Sequence, residues 1–183
     1  MSTRKKQHGF SLIELMVVIV VVGSLTGMAM PSLRATIDRN VVSSETIRLV
    51  RSINLARSQA VNKQQVVTLE RKSLMAGDWS AGWRTFTDSA GDGLTTFDIA
   101  TDTLIGDLDI TTRSLTVQNL AGAGGFISFF PSGRLNENVP VEIAVCDLAL
   151  SDRVDGSLIT INLVGRTAVT IIPAATKAAD CFP

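Results

Sequence analysis

Twenty-one consecutive residues, Phe10 to Met30, carry a single charged side chain, Glu14. At helical rise that stretch spans about 31 Å, the thickness of a bilayer's hydrocarbon core. The preceding residues, MSTRKKQHG, are short, polar and basic, which holds that end in the cytoplasm by the positive-inside rule. The rest of the chain then lies across the membrane, in the oxidising periplasm of a diderm bacterium. A secretory signal also has a basic start and an apolar core, but it ends in a small-residue cleavage site. Here the chain continues Pro31-Ser32-Leu33-Arg34, without such a site, and the core is long for a signal. The sequence therefore keeps this helix in the mature protein.

Glu14 is the odd residue of the stretch. A carboxylate inside an apolar span costs roughly 2.5–3.5 kcal/mol at the membrane centre and less near an edge, so it normally has a partner. If the chain is cut after Gly9, a new α-amino group arises one helical turn away, and Glu14 can pair with that group on a neighbouring copy. The alternative is a carboxylate resting at headgroup level.

The segment Gly9-Phe10-Ser11-Leu12-Ile13-Glu14-Leu15 resembles the prepilin signature of the type IV pilin family. The resemblance implies cleavage between Gly9 and Phe10 by a prepilin peptidase and N-methylation of Phe10. It also implies an assembly role for Glu14 and a helix kink at Pro31. Major and minor pilin subunits would be the partners, and the inner membrane the resting place before assembly. The chain then divides into a leader (1–9), a transmembrane and filament-core helix (10–30), an amphipathic helix (31–65) and a periplasmic β-rich head (66–183).

Removing the leader takes Arg4, Lys5 and Lys6 from 17 basic groups, leaving 14 against 17 acidic ones. A mildly acidic chain is a poor starting point for binding nucleic acid. The leader also holds the only histidine, His8. The mature chain then has no Ser-His or Cys-His nucleophile pair and no histidine-ligated metal. No catalytic residue, cofactor or metal is expected. Cys146 and Cys181 are too far apart for a C-x-x-C motif. In an exported domain such a pair reads as one structural disulfide, the alternative being two unrelated buried thiols.

After Pro31 the helical signal continues with mixed polarity. Leu33, Ile37, Val41, Ile47, Val50, Ile53 and Ala60 fall mostly three or four apart, with Arg34, Arg39, Arg48, Arg51 and Arg57 among them. These residues predict an apolar helix face and a solvated arginine face. Beyond Gln65 the period shifts to strands: Val66–Glu70, Trp83–Thr87, Leu115–Val117, Phe126–Phe130, Val141–Val145, Leu158–Leu163 and Val169–Ile172. Breaks such as Gly122–Gly125, Pro131-Ser132-Gly133 and Gly165 separate them. Short strands with no helices between them indicate antiparallel sheet. The expected fold is α+β: a long N-terminal helix packed on an antiparallel head of one or two sheets.

Ala56-Arg57-Ser58-Gln59-Ala60-Val61, Trp79–Asp88 with Gly91-Asp92-Gly93 behind it, and Phe129–Arg134 resemble segments of the GspH/FimT branch of the family. That resemblance implies a minor subunit at or near a pilus tip that helps begin assembly. The alternatives are a minor pseudopilin of type II secretion, or a DNA-uptake pilin. The last is marked in the branch by a G-R-x-R pattern; here the position reads Gly165-Arg166-Thr167-Ala168, without the second arginine. Arg134, Arg153, Arg166 and Lys177 remain the candidate DNA contacts. Trp79, Trp83 and Phe86 read as core packing. The aspartates from Asp88 to Asp109 lack the regular spacing of a calcium loop and read as solvated turn formers.

Overall fold

A computed structural model describes residues 11–88, 96–110, 115–122, 124–147, 155–173 and 181; the side chains of 27–35 lie outside the description. The chain divides into two compact units, Met1–Ile37 and Asp38–Pro183, and helix α1 (Leu12–Lys63) contributes to both.

In the first unit α1 begins with the Leu15 N–H donating to the Ser11 carbonyl at 3.2 Å. From Leu12 to Leu25 its large apolar side chains are 49–78% exposed. Two hydroxyls, Ser24 and Thr26, turn back on the helix, Ser24 donating to the Val21 carbonyl at 2.8 Å and Thr26 to that of Val22. Such back-bonding satisfies a hydroxyl where no water is at hand. Among the described residues no helix is long and apolar enough to cross a membrane. The described side chains of the apolar stretch end at Thr26. Helix continues through Pro31, whose side chain, and with it the expected kink, is outside the description.

In the second unit α1 ends at Lys63. Gln64 adopts φ 54°, and its amide donates to the Val61 carbonyl at 2.6 Å, closing the helix without a glycine. Eight strands follow: β1 (Val67–Arg71), β2 (Gly82–Thr87), β3 (Thr103–Asp109), β4 (Leu115–Ala121), β5 (Phe126–Phe129), β6 (Val141–Asp147), β7 (Gly156–Ile161) and β8 (Thr167–Ile172). They form two antiparallel four-stranded sheets, in the orders β3-β2-β1-β5 and β4-β6-β7-β8. The question of one sheet or two is thus answered.

The head core gathers Val42, Leu49, Ile53, Ala56 and Ala60 of α1 with Val67, Leu69, Ile127, Ile143, Ile159 and Ile161 of both sheets. This corrects the expected helix face. Ile53 and Ala60 are buried and Val41 and Val50 pack at the margin, but Ile37 and Ile47 are exposed, 54% and 47%. The buried stripe is rotated towards Val42, Leu49 and Ala56, because two alanines let the helix approach the strands closely. The strand β3 was not anticipated. Its aspartates suggested a loop, yet Asp107 and Asp109 are strand residues held by Lys72, with the Lys72 Nζ 2.5 Å from Asp109. Asp98 and Asp102 do form a turn, Asp98 accepting from the Ala100 N–H at 2.9 Å.

Trp79, Trp83 and Phe86 are buried, the first two in the main core and Phe86 edge-on to Phe97 at 5.3 Å. The loop carrying Trp79 ties the sheets together: its N–H donates to the Val117 carbonyl of β4 at 2.7 Å. On the opposite side of the second sheet, Cys146 of β6 bonds Cys181, with Cα atoms 6.2 Å apart, over a smaller cluster containing Ala144 and Ile172.

Candidate functional site

Two places carry the residues singled out from the sequence. The first is the start of α1. Gly9 and Phe10 lie outside the described residues. Glu14 sits in the first turn, exposed, the only charged group among the described side chains from Leu12 to Thr26. An acidic group there also suits the positive end of the helix dipole. A continuous exposed apolar surface of this kind is a contact surface, because soluble monomers rarely leave one uncovered.

The second place is a loop cluster beside the C-terminal end of α1. Arg57 is half-buried there; its Nε donates to the Gly133 carbonyl at 2.9 Å and its Nη2 to the Val164 carbonyl at 3.2 Å. Gly133 and Gly165 both adopt left-handed φ, 75° and 77°. A Cβ on Gly165 would meet the Gly133 oxygen at 2.3 Å and Arg57 Nε at 2.8 Å. Glycine is therefore required by both conformation and space. The Leu135 N–H donates to the Leu163 carbonyl at 3.2 Å, joining the two loops. Three segments far apart in the chain, around Arg57, Gly133 and Gly165, thus meet at one guanidinium. The sequence reading placed Arg57 on the solvated face and missed this role. The available signal was an arginine flanked by Ala56 and Ala60, which mark the buried stripe.

The same junction brings Arg134 and Arg166 onto adjoining loops, both exposed. Arg153 and Lys177 lie outside the described residues. Arg48 is not a free cation: it pairs with buried Glu45 at 2.7 Å. Beside the Arg134 loop, burial pushes the Glu137 carboxyl above its usual range, against hydrogen bonds from its own, Ser128 and Asn136 backbone groups. Ser128 donates to its Oε1 at 3.0 Å.

A cleft of about 490 Å³ opens between Glu70, Arg71, Lys72, Arg84 and Phe126. Its cations are already engaged. Burial lowers the Lys72 pKa, but hydrogen bonds and charge from Asp107 and Asp109 outweigh it and leave the pKa raised. Arg84 faces Glu70 at 3.5 Å and lies over the Phe97 ring. Arg71 bonds the Ser73 carbonyl and stands near Asp78. Asp78 is desolvated by burial, yet bonds from Ser73 and Ser80 and the charge of Arg71 hold its pKa below the ordinary value. Among the described residues no group of three or more His, Cys, Asp or Glu side chains is placed to hold a metal ion.

Residues 4–30 match the prokaryotic N-terminal methylation motif, and residues 45–165 match the family model described as type II transport protein GspH. The chain belongs to the GspH family. The GspH model covers α1 from Glu45, strands β1 to β7 and the Arg57 junction. Two crystal structures of the type IV minor pilin FimU from Pseudomonas aeruginosa share the fold of this GspH-family chain. One is 20% identical with a TM-score of 0.54, covering 73% of this chain and 94% of FimU. The other is 18% identical with a TM-score of 0.53, covering 75% and 92%. The minor pseudopilin EpsH of the Vibrio cholerae type 2 secretion system is 10% identical, with a TM-score of 0.48 over 70% of this chain and 95% of EpsH. No functionally curated protein matches the chain.

Proposed function

We propose that this GspH-family chain is a structural, non-catalytic minor subunit of a type IV pilus, incorporated at or near the tip to help begin assembly. The observation that carries this reading is the bare apolar start of α1 with its lone carboxylate, Glu14, inside the methylation motif. Two environments cover such a helix: lipid before assembly, and a bundle of like helices afterwards. Burying each large apolar side chain contributes roughly 1.5–3 kcal/mol, so the helix supplies most of the assembly energy and the head supplies specificity. Prepilin peptidase removes residues 1–9 and methylates Phe10, whose new amino group on a neighbouring subunit pairs with Glu14. Pro31 bends the helix where it leaves the membrane, and the head lies in the periplasm.

Mass spectrometry of the chain recovered from membranes tests this. A mature form beginning at N-methylated Phe10 is expected, and Gly9→Ala should retain the leader, because the peptidase must approach that backbone closely. A mature N-terminus at Ser32 or beyond would refute the reading.

The description of the matching family favours a second reading, a minor pseudopilin of type II secretion. The helix chemistry serves both equally. Deletion of the gene separates them: loss of surface pili supports the first, and loss of exported folded proteins the second. The adjoining loops of Arg134 and Arg166 favour a DNA-binding variant of the pilus reading. With Ala168 where a second arginine would stand, few phosphates are neutralised and affinity should be low. Absence of gel retardation even at low salt removes that variant.

A further inference from the structure

Two clefts of the head treat their polar side chains differently. In the 490 Å³ cleft the cations are engaged by neighbouring carboxylates and carbonyls. A smaller cleft, of about 320 Å³, opens between the β5–β6 loop and the β7–β8 turn. Its polar lining includes Arg134, Asn136 and Asn138, all exposed. Among the described residues none of these side chains has a hydrogen-bond or ion-pair partner. Phe130 and Leu163, 41% and 39% exposed, supply an apolar part of the same wall.

The backbone that carries these side chains is, by contrast, tied down. The Phe130 N–H donates to the Arg134 carbonyl at 2.9 Å, and the Gly133 N–H to that of Phe130 at 2.8 Å. The Leu135 and Asn136 N–H groups bond the Leu163 and Ser128 carbonyls at 3.2 and 2.8 Å. The Ser128 N–H in turn donates to Glu137 Oε1 at 3.0 Å, and Arg57 holds the Gly133 carbonyl from the helix. Side chains with uncommitted donors and acceptors thus stand on a fixed frame, which lowers the ordering cost of binding.

We propose that this cleft binds one pyranose ring of a neutral saccharide. Arg134 and Glu137 line it with opposite charges, so neither an anion nor a cation is favoured. What suits such a wall is a neutral group rich in hydroxyls. Each hydroxyl both donates and accepts; each asparagine amide offers both partners, and Arg134 adds donors. A pyranose also has a C–H face, which packs on Phe130 and Leu163, since the face of an aromatic ring is weakly negative and attracts C–H groups. The volume lies at the lower end for small-molecule sites, about 300–1,000 Å³, and admits a ring rather than a length of polymer. So few contacts give an affinity on the order of 1 mM. The inference does not rest on the filament reading, because the cleft belongs to the head and leader removal leaves its residues unchanged.

The test uses the full chain in a detergent without a sugar headgroup. Saturation-transfer NMR is recorded with maltose, lactose and N,N′-diacetylchitobiose, and with triglycine as a peptide probe. Transfer to at least one of the sugars is expected. Arg134→Ala should weaken it about 10-fold or more, and Asn138→Ala about 2- to 10-fold. Asn62→Ala, exposed near the end of α1 and outside the cleft, should leave binding unchanged. Arg134 and Asn138 are exposed, and unchanged tryptophan-monitored melting shows that their variants remain folded. Transfer to none of the sugars would overturn the proposal, as would transfer that survives both Arg134→Ala and Asn138→Ala. Transfer to triglycine alone would overturn it too, and would make the cleft a peptide site.

Discussion

In a Gly165→Ala chain the new methyl group would stand 2.3 Å from the Gly133 carbonyl oxygen and 2.8 Å from Arg57 Nε. Neither neighbour is a flexible chain end: one is backbone and the other a guanidinium held at two of its nitrogens. Alanine in the left-handed conformation costs about 1 kcal/mol. Relieving the clash separates the two loops and breaks at least one hydrogen bond from a charged donor, worth about 2 kcal/mol. The sum, about 3 kcal/mol, corresponds to a melting temperature lower by roughly 6–12 °C for a domain of this size. Trp79 and Trp83 are both buried, so tryptophan fluorescence during heating of the detergent-solubilised chain follows head unfolding. Gly124→Ala is the control, because its Cβ would meet nothing within 4 Å. The two effects should separate clearly, and Arg57→Met combined with Gly165→Ala should cost less than the sum of the single changes. Equal melting of the Gly165 and Gly124 variants would refute the argument that Arg57 locks three segments together.

Ile53→Ala should destabilise the head by about 2–5 kcal/mol, whereas Ile47→Ala should stay within about 0.5 kcal/mol; similar losses by thermal melting would contradict the assigned helix face. Cys146→Ser should cost about 4 kcal/mol for a separation of 35 residues, and only without reductant, which paired melts of wild type and variant check. Asp78 has a lowered folded pKa, so its stabilisation is present above the free value of 3.8 and is lost as pH falls through the folded value. Asp78→Asn should therefore flatten the acid limb of stability against pH. Glu137 has a raised folded pKa, so its stabilisation is present below the free value of 4.5 and is lost as pH rises through the folded value. Glu137→Gln should abolish that decline and melt no lower than wild type at neutral pH.

Much of the architecture was legible because it depends on local pattern. The uninterrupted apolar run, the change to mixed polarity after Pro31 and the later period of two each reflect one element's own geometry. Seven of the strands announced themselves through β-branched residues between turn signals. β3 did not, because Asp107 and Asp109 are poor strand formers in isolation; they are tolerated because Lys72, just after β1, compensates them from across β2. The helix face was misjudged for a related reason. Spacing identified a helix, but Val42, Leu49 and Ala56 lie close to the expected face in projection, and it is they that pack with Ile53 and Ala60 against the sheets.

By itself the sequence determined the covalent and solvent-driven features of this protein: the motif at Gly9–Glu14, the long helix and the succession of strands. Those follow from chemistry within a few residues. Only the tertiary structure decided that the strands form two sheets, that Arg57 gathers Gly133 and Val164, and that Arg134 adjoins Arg166. It also decided that β3 and β8 are the outer strands of their sheets that no described loop covers. Each of these relations joins residues dozens of positions apart, and which of them meet is set by the packing of the whole head around α1 rather than by any local preference.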